Sequence, residues 1–279
     1  MIKIDAHQHY WSYDPVNYNW INDDMKILKR DFLPDDLSPI LKENNFDGSV
    51  AVQARPSAEE NTFLLNLADH HEIIKGVVGW VDLQAENVEK QLEELAKHPK
   101  LCGIRHLVQD EPDDQFLLRK DFKRGISYLK KYDLTYDILI FPRHLPAAIE
   151  FVQDFPEQKF VLDHIAKPYI KDHKIDNWAK GLMALAKHPK VFCKLSGMVT
   201  EAVWNQWTES DFKPYLDVVF EAFGSDRLMI GSDWPVCTLS GEYDEVIKIV
   251  DNYIESNVSG REREKILGQN AVQFYGLNI

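Results

Sequence analysis

Ile2-Lys3-Ile4-Asp5-Ala6-His7-Gln8-His9-Tyr10-Trp11 carries the pattern that decides the fold. Ile2, Ile4 and Ala6 alternate with Lys3, Asp5 and His7, the period of a strand. Side chains two positions apart on a strand share a face. His7 and His9 therefore project together, with Asp5 one step deeper. Two imidazoles aimed at one spot suit a metal, a substrate or both. Two surface histidines at a strand end are the ordinary alternative. A doubly wound nucleotide-binding sheet would follow its first strand with a Gly-rich turn. Here the strand runs into His-Gln-His-Tyr-Trp, and neither GxGxxG nor GKS/T occurs anywhere.

Working outward, seven further apolar, β-branched runs read as strands: 48–53, 74–81, 103–108, 136–141, 159–164, 191–195 and 227–231, after the first at 2–7. Most gaps between them carry helical periodicity: 61–71, 88–98, 121–131, 145–155, 178–188 and 212–223, with a final pair at 243–256 and 259–275. Strands alternating with helices imply βαβ units and a parallel sheet. Eight such units in 279 residues predict an α/β fold of the (β/α)8 TIM-barrel type in one domain spanning 1–279. The segment 10–31, rich in Tyr, Trp and Asn, is too long for a simple βα loop. It is expected to fold over the barrel mouth.

The net charge of −13 argues against nucleic acid or an anionic membrane as a partner. Cys102, Cys193 and Cys237 are far apart and odd in number, which predicts buried thiols rather than a disulfide framework. No basic leader with an apolar run and no apolar stretch of about 18 residues is present, so a cytoplasmic protein is expected. Acidic barrels of this kind often self-associate, so a homo-oligomer is a possible state.

Barrel enzymes carry reactive groups at the C-terminal ends of their strands. Those positions hold His7 and His9, then Gln53 and Arg55, Trp80 and Asp82, and Arg105 and His106. They continue with Asp137, Phe141 and Arg143, then Asp163, His164 and Lys167, Lys194 and Ser196, and finally Ser232-Asp233-Trp234-Pro235. Ionisable groups inside apolar strands are costly unless paired or used. His98 and His188 sit where helices end and suit the helix dipole. Asp233 would face the same mouth as His7, His9 and His164. These four form an N,N,N,O set able to hold one divalent metal, or a carboxylate base beside imidazole donors.

The ordered set Asp5-Ala6-His7-Gln8-His9, Val52-Gln53-Ala54, Gly76–Leu83, Gly103-Ile104-Arg105-His106, Val161–Pro168, Cys193–Gly197 and Gly231–Pro235 resembles the amidohydrolase superfamily, specifically its sugar-lactonase branch. The resemblance covers essentially the whole chain. It implies a barrel that opens a lactone ring with water, with His7, His9, His164 and Asp233 at the core. In the wider superfamily a histidine after strand five and a bridging carboxylated lysine often complete a two-metal site. This chain has Asp137 on strand five, and His144 follows only after Phe141-Pro142-Arg143. The resemblance therefore leaves two cofactor states, no metal or one divalent metal, with zinc the expected ion.

The leading expectation is hydrolysis of an aldonolactone, a small-molecule sugar lactone, with Asp233 moving the proton between water and the ring hydroxyl. Gln53, Arg105, His106 and Lys194 are candidates for bonding the hydroxyls or polarising the carbonyl. Trp11, Trp20 and Trp234 suit the apolar face of a sugar ring, or equally the packing of a lid. A metal-dependent decarboxylase or C–C hydrolase of the same superfamily, and a non-catalytic sugar-acid binding barrel, are the alternatives.

Overall fold

The computed structural model describes residues 1–279. Each strand is a short run of small and branched apolar residues, buried on both faces, as a parallel sheet wrapped by helices requires. The strands are β1 (Ile4–Gln8), β2 (Gly48–Val52), β3 (Ile74–Gly79), β4 (Leu101–His106), β5 (Thr135–Ile138), β6 (Phe160–Leu162), β7 (Val191–Leu195) and β8 (Leu228–Ile230). They pair in sequence order, every neighbour parallel. Outside them lie α1 (Pro34–Glu43), α2 (Ala58–His70), α3 (Val88–Leu95), α4 (Lys120–Ser127), α5 (Leu145–Gln153), α6 (Asp176–Leu185), α7 (Glu209–Phe223) and α8 (Tyr243–Asn257). The chain ends in α9 (Gly260–Glu264) and α10 (Asn270–Tyr275). This is the expected single-domain (β/α)8 barrel.

Closure of the barrel bears directly on function. Between β8 and β1 the bonds are His9 N–H to Trp234 O at 2.7 Å and Asp233 N–H to His7 O at 2.8 Å. The seam is thus sewn at the C-terminal rim, through the residues expected to be reactive. Asp5 reinforces it from below. Its carboxylate accepts from Ser232 N at 2.9 Å, Ser232 Oγ at 2.6 Å, Tyr243 OH at 3.1 Å and His7 N at 3.2 Å. Asp5 is a strut between β1 and the β8 loop and does not join the histidines. Burial pushes its carboxyl up to about 6, against the pull of those donors. At the opposite end, Phe274, Tyr275 and Leu277 pack on Ile4, Val50, Val161 and Met229 and plug the barrel floor.

Several local readings change: the fourth strand runs 101–106 rather than 103–108, and the fifth stops at Ile138, short of the expected 141. The helix α1 falls in a gap for which no helix was expected. Pro34 starts it and Pro39 lies inside it, so the sequence shows a breaker in a real helix. The sixth strand stops at Leu162, short of the expected 164. Asp163 to Lys167 leave the sheet in a turn described below.

Candidate active site

β1 aims His7 and His9 into the mouth as the period of two requires, and their Nε2 atoms lie 3.2 Å apart. Asp233 enters from the β8 loop with φ at +59°. Its Oδ1 is 3.3 Å from His9 Nε2, 3.8 Å from His7 Nε2 and 3.8 Å from His164 Nε2. One carboxylate oxygen therefore stands among three imidazole nitrogens. The four expected core residues converge.

Outer partners fix the rings. His9 Nδ1 lies 2.7 Å from the Val52 carbonyl. A carbonyl only accepts, so the proton is on Nδ1 and the lone pair of Nε2 faces Asp233. His164 Nδ1 meets Ser196 Oγ at 2.9 Å. Gly197 runs against this ring with φ at +62°, and a Cβ there would collide with it. Burial drives all three imidazoles below their ordinary value, His7 and His164 well below, and the Lys194 ammonium adds to this at His7. Burial pushes Asp233 up. The surrounding imidazoles, His164 foremost, and the Lys167 ammonium outweigh it and hold the carboxyl below its ordinary range.

Beneath the histidines lies a fully buried ionic layer. Lys194 Nζ donates to Asp137 Oδ2 at 2.6 Å, is 3.0 Å from Asp163 Oδ1 and meets His7 Nδ1 at 3.1 Å. Tyr275 OH donates to Asp137 at 2.8 Å. Arg105 bonds Asp163 Oδ2 at 3.0 Å, Gln53 Oε1 at 3.0 Å and the Gln53 carbonyl, and reaches His7 Nε2 at 3.3 Å. Burial raises Asp137 to about 6, while Asp163, against the same burial, is held well below its ordinary value by Lys194, His7 and Arg105.

His164, Ile165, Ala166 and Lys167 have φ of +53°, +47°, +59° and +47°. This is one turn of left-handed backbone built without glycine. Such residues cost about 1–2 kcal/mol each, and a β-branched residue there is an outlier. The turn is held by Trp178 Nε1 donating to Ile165 O at 2.7 Å, by Lys167 N donating to His164 O at 2.8 Å, and by burial of Ile165 and Ala166. It turns both His164 and Lys167 into the mouth.

A cavity of about 240 Å³ opens above the histidines, with His9, Arg105, His164, Lys167 and Asp233 on its inner wall. Trp20 and Met25 line it from the segment expected to cover the mouth, and Gln109 and Asp110 from the chain after β4. Of the six residues expected to bind substrate, the structure brings only Arg105 to this cavity. Gln53 is buried beside Arg105. Lys194 is enclosed in the layer below, with Asp137, Asp163 and His7 within 3.1 Å. His106 faces Glu111 at 2.7 Å and stacks on Phe116, away from the cavity. Trp11 and Trp234 pack with Phe32 and hold the covering segment to the barrel. Trp11 also donates to Arg30 O at 2.9 Å. His144 accepts from Phe141 N at 3.1 Å and stays outside the site. In the sequence Lys167 stands out only as a residue following strand six. No sequence signal marks a left-handed turn made of non-glycine residues.

The sequence matches the Amidohydrolase family model over residues 4–277. It is 41% identical to an L-fucono-1,5-lactonase from Burkholderia multivorans, covering 99% of this chain and 96% of the relative. The chain belongs to the amidohydrolase family. A second L-fucono-1,5-lactonase, from Burkholderia ambifaria, is 35% identical over 99% of this chain and 96% of the relative. A crystal structure of an amidohydrolase from Burkholderia multivorans with bound Zn superposes with a TM-score of 0.96 at 41% identity, covering 100% of both chains.

The donors of this amidohydrolase fit a divalent ion. His7, His164 and Asp233 each offer a ligand atom, all within 4.8 Å of one another. His9 Nε2 adds a lone pair directed at Asp233 Oδ1, so two acceptors face each other at 3.3 Å. Acceptors at that distance call for a proton or a cation between them. Asp163 Oδ1, 3.3 Å from His7 Nδ1, could take the ring proton that a ligating His7 would carry there.

Proposed function

We propose that this amidohydrolase opens the ring of a sugar-derived lactone with water, with L-fucono-1,5-lactone the first substrate to test. The observation that carries the reading is Asp233 Oδ1, set 3.3–3.8 Å from three imidazoles at the floor of a small cavity. The identity to two fuconolactonases supports the substrate class. A cavity of about 240 Å³ suits a single ring rather than a polymer.

Asp233 is ionised at neutral pH, so it accepts a proton from water as the water oxygen attacks the lactone carbonyl carbon. The ring C–O bond then breaks, and Asp233 returns that proton to the leaving alkoxide. The open-chain acid loses its carboxyl proton to solvent. Arg105, held from behind by Asp163 and Gln53, puts a fixed positive charge on the wall where negative charge develops on the carbonyl oxygen. His7, His9, His164 and Asp233 would hold one divalent ion, zinc being the first to test, and it would supply a Lewis acid. The buried unpaired thiols suit a reducing compartment such as the cytoplasm. No helix is long and apolar enough to cross a membrane.

A pH-indicator assay over L-fucono-, L-rhamnono- and D-galactono-lactones tests the reading. The wild type should turn over at least one. Asp233→Asn should lose about 10²- to 10⁴-fold in kcat while staying folded. Full turnover by that variant would remove Asp233 as the base. Metal analysis of the purified protein, with activity before and after chelation, decides whether the ion is needed.

A further inference from the structure

Three cations come close to the reacting centre, and their hydrogen-bond positions differ. Lys194 donates to Asp137 at 2.6 Å and is closed in by Asp163 Oδ1 at 3.0 Å and His7 Nδ1 at 3.1 Å. Arg105 donates to Gln53 and Asp163 and lies 3.3 Å from His7 Nε2. Lys167 has no protein acceptor within hydrogen-bond distance. Its nearest partner is Glu201 Oε1 at 3.8 Å, and its ammonium stands 5.6 Å from the centre of the Phe141 ring. Both side chains of the Lys167–Glu201 pair are only about a fifth exposed, at 18% and 19%. An ammonium with three unspent donors, half-sheltered on the wall of the reaction cavity, is incomplete without a ligand. The left-handed turn that places it there is a conformation that persists only where the surroundings enforce it, which is typical of functional sites.

Resting on the lactone reading, we infer that Lys167 is a substrate-contacting residue that sets specificity by donating hydrogen bonds to ring hydroxyls of the lactone. Glu201 decides for hydroxyls over a carboxylate. Its negative charge beside Lys167 cancels the net attraction for an anion and leaves the N–H directions to be used. A hydroxyl accepts such a bond without bringing charge. A site built to bond a hydroxyl discriminates against the analogue that lacks it.

The test compares wild type, Lys167→Met and Lys167→Arg on the best lactone of the panel and on its monodeoxy relatives. Thermal midpoint and metal content are measured for each protein. Lys167→Met should raise KM by about 10- to 100-fold, the worth of one hydrogen bond to a charged donor, with kcat changed far less. On the relative that lacks the contacted hydroxyl, wild type and Lys167→Met should have the same KM. Lys167→Arg, which keeps charge and donors, should recover part of the loss. An unchanged KM in Lys167→Met overturns the assignment, as does an equal rise on every monodeoxy lactone. A collapse of kcat at constant KM overturns it too. Failure of the wild type to open any lactone removes the lactone reading, and this inference with it.

Discussion

The floor and the mouth of the site are built from the same residue types to opposite ends. At the floor, Lys194 is buried and closed in by Asp137, Asp163 and His7, and Arg105 is pinned by Asp163 and Gln53 with one face left to the cavity. At the mouth, Lys167 sits on a strained turn with one loose partner at 3.8 Å. The difference teaches how to separate scaffold from contact. A cation whose donors are all answered within the protein holds the site in shape. A cation with donors left over is waiting for a ligand. By that criterion Lys194 belongs to the scaffold, in contact with His7 Nδ1 at 3.1 Å.

Removing the floor cation should have the largest effect on stability. Lys194→Met leaves Asp137 buried without its counter-charge and Asp163 with Arg105 alone. A loss of about 3–5 kcal/mol is expected, as for other broken buried ion pairs. Denaturant unfolding measures it, and adding Asp137→Asn to Lys194→Met should restore part of the loss. If Lys194→Met is as stable as wild type, the floor is not a scaffold and the contrast collapses.

The junction between floor and mouth should respond next. Gly197→Ala puts a methyl group against the His164 ring at a backbone φ of +62°. The left-handed conformation costs about 1–2 kcal/mol, and displacement of His164 should lower kcat more than it raises KM. A variant with unchanged kcat would show that the position of His164 is not critical.

The smallest expected effect is on pH dependence. The three imidazoles have folded-state pKa values below the ordinary 6.5. Below pH 6.5 the unfolded chain takes up protons that the folded protein refuses, so stability falls as pH falls. Replacing one imidazole of this set, by His164→Gln, removes one such group. The stability lost between pH 6.5 and 5.5 should then be smaller than in wild type by about 1 kcal/mol. Comparing the two proteins cancels the opposite contributions of Asp5 and Asp137, whose carboxyls are pushed up to about 6. Parallel curves would mean that His164 is not held neutral.

Much of this was legible in one dimension. Strand periodicity is local, so the eight strands and the shared face of His7 and His9 could be read directly. The rule that barrel chemistry lies at strand ends brought His164 and Asp233 to the same list. The contacts expected of Lys194, His106, Trp11 and Trp234 could not be read in this way. Whether a lysine at a strand end meets solvent or a buried polar cluster depends on side chains from β1, β5 and the turn after β6, remote in sequence. The helix α1 hid behind two prolines. The placement of Lys167 hid behind a turn that packing by Trp178 and burial of Ile165 impose against local preference.

The sequence by itself determined the barrel, its strand order and the four residues at its centre, because alternation and strand-helix spacing are short-range properties of the chain. Only the tertiary structure decided which cations are spent and which are free. Which donors are answered is settled by partners remote in sequence, as Lys194 and His7 are at 187 positions apart.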